Sequence, residues 1–331
     1  VVFVGIDLFT YAPVFDHIRK LRNEVGFKWI CIAPYDLPTI RNDYIKLFSI
    51  PDQVYVYSKF AENLLSYEET LDVKYFRPPL YNADTYQVPS PDEKNELRKI
   101  VFGSQFGLDT TLFMFVGANQ RRKNIPRMLK GFATFLTNEI KQGNDPNCAF
   151  YIHMNINRGV YNIKQIINDY PILRKYIYYN QKENHVSLPQ EMPKLYQCAD
   201  VYVNVSHHEG LSWTPIEAML CGVPCILSDS TAHLDFNNNP GIYFVEQADL
   251  GFVLQFSSYG ECLLECAACN HESIADALSD MYCMHQEDHA VYKTMSNECK
   301  KFANKWVQEV HNINDILTND NSINLGIGDL I

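Results

Sequence analysis

Two glutamates, Glu209 and Glu217, stand eight residues apart between an apolar, β-branched run, Val201–Val205, and the stop signal Cys221-Gly222-Val223-Pro224. The run reads as a buried strand that opens into the polar loop Ser206-His207-His208-Glu209-Gly210. A helix is predicted to follow, with Thr214 as its cap and Pro215 in its first position. The amides of such a loop, together with the helix N-terminus, bind an anion such as a phosphate. Glu209 in the loop and Glu217 about a turn into the helix face one cleft, where carboxylates suit hydrogen bonds from sugar and ribose hydroxyls. A second apolar run, Leu112–Val116, is followed by Gly117-Ala118-Asn119-Gln120-Arg121-Arg122-Lys123-Asn124. Arg and Lys at the mouth of a parallel sheet neutralise a diphosphate, and Arg adds a bidentate geometry.

The elements that must hold these loops alternate along the whole chain. Strands are predicted at Val1–Val4, Lys28–Ala33, Gln53–Ser58 and Lys74–Arg77, with helices at Tyr11–Val25, Leu37–Phe48 and Lys59–Leu65 between them. A proline-rich stretch, Pro78 to Pro91, marks a domain boundary. The alternation then restarts. Helices are expected at Asp92–Phe102, Ile125–Lys141, Ile163–Tyr170, Met192–Cys198 and Thr214–Leu220. Strands are expected at Leu112–Val116, Ala149–Met154, Val186–Leu188, Val201–Val205, Pro224–Leu227 and Gly241–Val245. Helical patterns at Ser273–Met284 and Tyr292–Val310 follow. This regular alternation predicts an α/β chain of two facing, Rossmann-like, doubly wound domains with mostly parallel sheets, whose ligands bind at the carboxyl ends of the strands. The expected division is residues 1–88 for the first domain, 89–300 for the second, 301–318 for a helix crossing back to the first, and 319–331 for a tail.

Composition narrows the function classes. The 331 residues carry 28 Lys+Arg and 39 Asp+Glu, a net charge of 28 − 39 = −11, which argues against a coat for nucleic acid or anionic membrane. No apolar run is long enough to span a bilayer, and the opening residues lack a secretory signal, so a cytoplasmic protein without an integral span is expected. Ten cysteines do not make a disulfide scaffold. Cys262, Cys266, Cys269, His271, Cys283 and His285 form a cluster in which Cys266-Ala-Ala-Cys269 has zinc-knuckle spacing. The run Glu261–Ala268 reads as helix and a second Cys-x2-Cys half is lacking, so reduced thiols are expected there. No dinucleotide fingerprint, Walker loop, His-Glu-x-x-His or Gly-x-Ser-x-Gly elbow occurs.

The Glu209 to Glu217 segment resembles the Glu-x7-Glu signature of retaining glycosyltransferases of the GT-B fold, the glycosyltransferase family 4 and glycogen synthase group. The Gly117 to Asn124 stretch is similar to that family's glycine and Arg/Lys loop. The resemblance covers most of the chain, most strongly Leu112–Asp229. It implies a transferase that moves a hexose from a nucleoside diphosphate sugar to the hydroxyl of a carbohydrate, lipid-linked or protein acceptor, with retention of configuration. By it, Glu209 holds the donor sugar hydroxyls, Glu217 the ribose, and Lys123 with Arg122 or Arg121 the diphosphate. Gly117, the amides of Gly210, Leu211, Ser212 and Trp213, and the Thr214 hydroxyl line the donor site. The base is expected near the ends of Ala149–Met154 and Val186–Leu188.

No cofactor or metal is implied, since the leaving diphosphate itself takes the acceptor proton and the sequence has no Asp-x-Asp. His207 and His208 adjoin Glu209, and Asp7 is a candidate on the acceptor side. The family's Arg after the glycine is Ala118 here, and the glycine of its phosphate loop is Ser212. Its first-domain glycine-rich loop has no counterpart and the chain opens on Val1, so part of the first domain is expected to precede this sequence. The same architecture also suits a non-hydrolysing nucleotide-sugar epimerase or a catalytically degenerate nucleotide-sugar-binding protein.

Overall fold

The computed structural model describes residues 2–5, 8–179, 190–257, 260–312 and 316. Strands β1 (Val2–Gly5), β2 (Trp29–Ala33), β3 (Gln53–Val56) and β4 (Val73–Tyr75) form one parallel sheet in sequential order. Parallel neighbours need crossovers. These are supplied by α1 (Leu8–Val25), α2 (Asn42–Phe48) and α3 (Lys59–Leu65). The strand β2 is buried at every position, as a strand covered on both faces must be.

After the proline-rich stretch the chain enters α4 (Pro91–Phe102), β5 (Thr111–Val116), α5 (Ile125–Lys141), β6 (Cys148–His153), α6 (Ile163–Asp169), α7 (Leu173–Tyr176) and β7 (Ile177–Tyr179). It continues through α8 (Met192–Cys198), β8 (Val201–Asn204), α9 (Trp213–Leu220), β9 (Cys225–Ser228) and β10 (Ile242–Val245). The second sheet has six parallel strands in the order β10-β9-β8-β5-β6-β7. Its order reverses between β5 and β8, so the loops leaving those two strands open side by side at their carboxyl ends. A hairpin, β11 (Asp249–Ser257) and β12 (Gly260–Ala268), and helices α10 (His271–Gln286) and α11 (His289–Gln308) complete the described chain.

Phe113, Phe115, Phe132, Phe150 and Ile274 are buried on one face of the second sheet, where α5 and α10 pack; Met114, Tyr202, Ile216 and Trp306 are buried on the other, under α9 and α11. Past α11, Ile316 joins Ile30, Ile32, Tyr55 and Phe76 on the first sheet. The Arg77 guanidinium reaches the Trp306 carbonyl and the Glu309 carboxylate, each at 3.1 Å, and the Arg77 amide donates to His311 Nδ1 at 3.0 Å. Across the other side of the seam, Asp235 accepts from the amides of Lys59 and Phe60 at 2.8 and 2.9 Å, taking two of the open donors at the start of α3.

Several elements differ from expectation. Helix α2 starts at Asn42 rather than Leu37, because Pro38 disfavours helical backbone at the residue before it, and residues 34–41 instead bury Tyr35 and Leu37. Pro215 is the third residue of α9, and the helix begins at Trp213 with Ser212 as a cap whose side chain makes no capping bond to the helix; Thr214 is therefore not the cap. Pro215 still sits in the first turn, where a helical N–H has no partner. Glu261–Ala268 is not helical but pairs antiparallel with β11. Cys266 and Cys269 are buried, and the Cys269 thiol donates to the Val245 carbonyl at 3.3 Å. Among the described residues no group of three or more His, Cys, Asp or Glu is gathered to hold a metal ion. The three-residue strand Ile177–Tyr179 was not expected, while the strand predicted at Val186–Leu188 lies outside the described residues. No helix among the described residues is long and apolar enough to cross a membrane.

Helix α4 is fastened to the second sheet by a buried ion cluster. Asp200 accepts from Arg98 at 2.5 Å, Lys94 at 2.6 Å and the Leu112 amide at 2.7 Å, with His285 Nε2 at 3.3 Å. Burial alone would raise this carboxyl, but Lys94, Arg98 and His285 hold it well below the usual range. Its contribution to stability is therefore complete above the unfolded value of about 3.9 and is lost as pH falls below that toward the folded value. Asp200→Asn is expected to cost about 3–5 kcal/mol in urea unfolding at neutral pH, because it strands Arg98 in the core. The gap between variant and native protein should narrow on acidification below about pH 4.

Candidate functional site

The loops after β5 and β8 meet on Glu209. After β5 the chain passes Gly117 and makes a tight turn over Arg121–Lys123 before α5. Asn124, at the junction, adopts the left-handed region, and its amide group donates to the Val205 carbonyl at 3.1 Å. This stitches the two loops together. The His207 amide adds a second stitch, donating to the Arg122 carbonyl at 2.7 Å. Gly117 is needed on steric grounds: a Cβ there would lie 2.8 Å from the Phe115 ring and 3.7 Å from the Lys123 stem.

Glu209 is 3% exposed. Its Oε1 accepts from Lys123 Nζ at 2.5 Å and lies 2.8 Å from the Ser206 hydroxyl; its Oε2 pairs with the Arg122 guanidinium. Its amide donates to the Thr231 hydroxyl at 2.8 Å, and its carbonyl accepts from Ala232. Burial acts to raise the carboxyl, yet Arg122 and Lys123, with His233 further off, bring it well below its usual value, so it is an anion at neutral pH. Lys123, 7% exposed, is lowered as well, but by burial, of which Glu209 restores only part. The result is an anion between two cations, already paired before any ligand arrives. The Arg121 carbonyl accepts from the Tyr161 hydroxyl at 3.1 Å.

Gly210 lies against the first sheet, where a Cβ would come within 2.9 Å of Pro34. Leu211 is half-buried, and Ser212 adopts φ 63, left-handed for a residue with a side chain. Its hydroxyl is held 2.9 Å from His233 Nε2. Burial lowers His233 to about 4, so the ring is neutral at physiological pH. Trp213 packs edge-on against Trp306 with ring centroids 5.5 Å apart. The Thr214 hydroxyl accepts from Tyr202 at 2.6 Å.

Glu217 is on α9 but its oxygens are occupied, by Tyr196 at 2.6 Å and Tyr86 at 3.2 Å. Burial raises its carboxyl and the two phenols temper that. Glu209, Lys123, Arg122, Gly117 and Gly210 thus converge, whereas Glu217 sits with the tyrosines. Asp7 lies outside the described residues.

Sequence reasoning missed Ser206, Thr231, His233, Tyr86, Tyr196 and Asp36 as parts of the site. Ser206 was discoverable, three residues before Glu209 in the same loop. No spacing signal marks the others, which come from the turn after β9, from the linker, from α8 and from the first sheet.

Residues 98–248 match the family model described as Glycosyl transferases group 1. That stretch contains all six strands of the second sheet and both loops around Glu209. No curated protein is similar enough to the chain to match it. Among solved structures, the chain is similar to sucrose-phosphate synthase from Thermosynechococcus elongatus, with a TM-score of 0.64 at 17% identity over 95% of this chain and 70% of that one. It is similar to HepE from Anabaena, solved in complex with UDP and glucose, with a TM-score of 0.64 at 11% identity over 93% and 76% of the two chains. It is also similar to an α,α-trehalose-phosphate synthase (UDP-forming) from Burkholderia vietnamiensis, with a TM-score of 0.62 at 12% identity over 92% and 70%. The α/β chain with two mostly parallel sheets thus has GT-B glycosyltransferases as structural neighbours, the fold the Glu209 segment pointed to.

Ser212 offers a direct test of how the loop is held. Ser212→Ala keeps the left-handed backbone but leaves His233 Nε2 without its partner, and is expected to cost about 1–3 kcal/mol in denaturant unfolding. Ser212→Gly loses the same bond while relieving the backbone, so it should be more stable than the alanine variant by about 1 kcal/mol. Equal stabilities would show that the backbone conformation at this position is not strained.

Proposed function

We propose that the chain is a retaining glycosyltransferase that moves a hexose from a nucleoside diphosphate sugar to an acceptor hydroxyl without a metal ion. The observation that carries this reading is the buried Glu209 carboxylate held by Lys123 and Arg122 at the start of α9. A diphosphate entering beside that helix meets the amides of Gly210 to Trp213 and two cations, which supply the charge a metal otherwise provides. Glu209, released in part from Arg122, is then an acceptor for sugar hydroxyls. Paired to two cations it is a weak nucleophile, which favours front-face attack, in which the acceptor oxygen bonds the anomeric carbon on the side from which the diphosphate leaves, with retention, and the departing diphosphate takes the acceptor proton.

Positioning and stabilisation of the leaving group account for catalysis in this reading. Glu217 binds the ribose by exchanging the longer of its two bonds, that to Tyr86, for a ribose hydroxyl. The acceptor is a carbohydrate, a lipid-linked sugar or a protein hydroxyl, and the reaction takes place in the cytoplasm. The neighbour solved with UDP and glucose makes a uridine donor the first to test.

Calorimetric titration of the protein with UDP, GDP and ADP in the absence of magnesium is expected to show binding of one of them. Lys123→Ala should weaken that binding about ten- to a hundredfold, the scale of one charge-assisted hydrogen bond. Glu217→Ala should weaken it less. Failure of all three nucleotides to bind would overturn the reading. Binding without transfer or donor hydrolysis would reduce it to a nucleotide-sugar-binding protein.

A further inference from the structure

His208 precedes Glu209 and is wholly buried, at 0% exposure. Its Nδ1 lies 3.1 Å from Oδ2 of Asp36, which belongs to the loop leaving β2 of the first sheet. This contact spans the seam between the sheets at the carboxyl ends of their strands, beside the point where Pro34 meets Gly210. Burial acts against the Asp36 charge, but His208 and Arg122 outweigh it and keep the carboxyl below its usual value, so it remains an acceptor at neutral pH.

The other ring nitrogen is different. His208 Nε2 is a buried polar atom with no hydrogen-bond partner among the described residues. Buried polar atoms without partners are rare, and each carries a cost that a bound group can remove. The neighbours of the ring are already committed: Arg122 donates to the His208 carbonyl at 3.3 Å and to Glu209, while Lys123 is bound to Glu209.

We infer that His208 is a substrate-binding residue whose Nε2 accepts a hydrogen bond from a substrate hydroxyl, and that Asp36 is the positioning residue that fixes the ring for it. The chemistry follows from the tautomer. Nδ1 is turned to Asp36, so a ring that carries its one proton there presents Nε2 as an acceptor. A lone pair next to an ionised carboxylate network repels phosphate oxygens and attracts O–H donors. A sugar hydroxyl is therefore the ligand class that suits it. The arrangement also makes recognition depend on the two sheets standing together, because Asp36 comes from one and His208 from the other.

This inference rests on the glycosyltransferase reading above, and one experiment separates the two. His208→Asn retains an N–H where Nδ1 stands, so it preserves the bond to Asp36 while removing Nε2. The full chain and this variant are compared in nucleoside diphosphate affinity by calorimetry, and in release of nucleoside diphosphate from UDP-, GDP- and ADP-linked hexoses. Affinity for the bare nucleotide is expected to be unchanged, while kcat/KM falls about tenfold or more, the scale of one lost hydrogen bond.

A rise in donor KM assigns the hydroxyl to the transferred sugar. A fall in kcat at constant donor KM assigns it to that sugar's reacting state rather than to its ground-state binding. Asp36→Ala should move the same constant, and combining the two substitutions should add little to either. Unchanged kcat and KM in His208→Asn would overturn the inference while leaving the glycosyltransferase reading intact. So would a defect confined to Asp36→Ala, which would make the contact a clasp between sheets. Native protein that neither binds nor turns over any of the donors would overturn both.

Discussion

One buried negative charge organises the cleft. Removing a carboxylate from water costs several kcal/mol, and the cost is recovered only if cations and hydrogen-bond donors are held in good geometry around it. Glu209 has Lys123, Arg122 and Ser206 about its two oxygens and Thr231 on its amide. Each comes from a turn at the carboxyl end of a strand: β5 for the cations, β8 for Ser206, β9 for Thr231. Without the parallel sheet these turns would not be neighbours. Without Glu209, two cations would stand in a pocket that buries Lys123 almost completely. The same balance makes the site receptive to a diphosphate, because an anion can replace one half of an existing ion pair without leaving a charge uncompensated.

The first sheet contributes through close approach. Pro34 and Asp36 leave β2 and press on His208 and Gly210, and a side chain at Gly210 would collide with Pro34. At the far side of the seam Asp235 occupies the amides that begin α3, and Arg77 ties the end of β4 to the end of α11. The hydrogen bonds among these contacts tie together two sheets that each keep an apolar core of their own.

Much of this was legible because strand and helix periodicity survives in buried, regular segments. The runs Leu112–Val116 and Val201–Val205 fall within one residue of the observed strands, since every position there is covered and hydrophobicity alone specifies it. Glu209, Lys123 and Arg122 were legible from their residue types and the loops that carry them. Legibility failed where long-range contacts decide. Leu37 continues a helical pattern in sequence but is claimed by the core beside Tyr35, with Pro38 barring the helix. Glu261–Ala268 carries no clean strand alternation, and only its partner β11 makes it extended. Glu217 satisfied the motif, yet its tyrosine partners lie 131 and 21 residues away and no local pattern announces them. His233 and Asp36 reach the site from separate strand ends in the same way.

Backbone conformation gives independent support for the location of the site. The described non-glycine residues with positive φ are Asn82, Asn124, Ser212 and Thr231. Asn124 caps the cation turn, Ser212 begins α9, and Thr231 receives the Glu209 amide, so three of the four surround one carboxylate. Asn tolerates this region, but Ser pays for it, and a β-branched Thr is disfavoured there by about 1–3 kcal/mol. Such conformations persist only where surrounding contacts over-determine them, and here each strained residue is pinned: Ser212 by His233, Thr231 by Glu209, Asn124 by Val205. Local rules are broken together at the place where charge, burial and strand topology also converge. A fold optimised for stability alone would have no reason to concentrate its exceptions there.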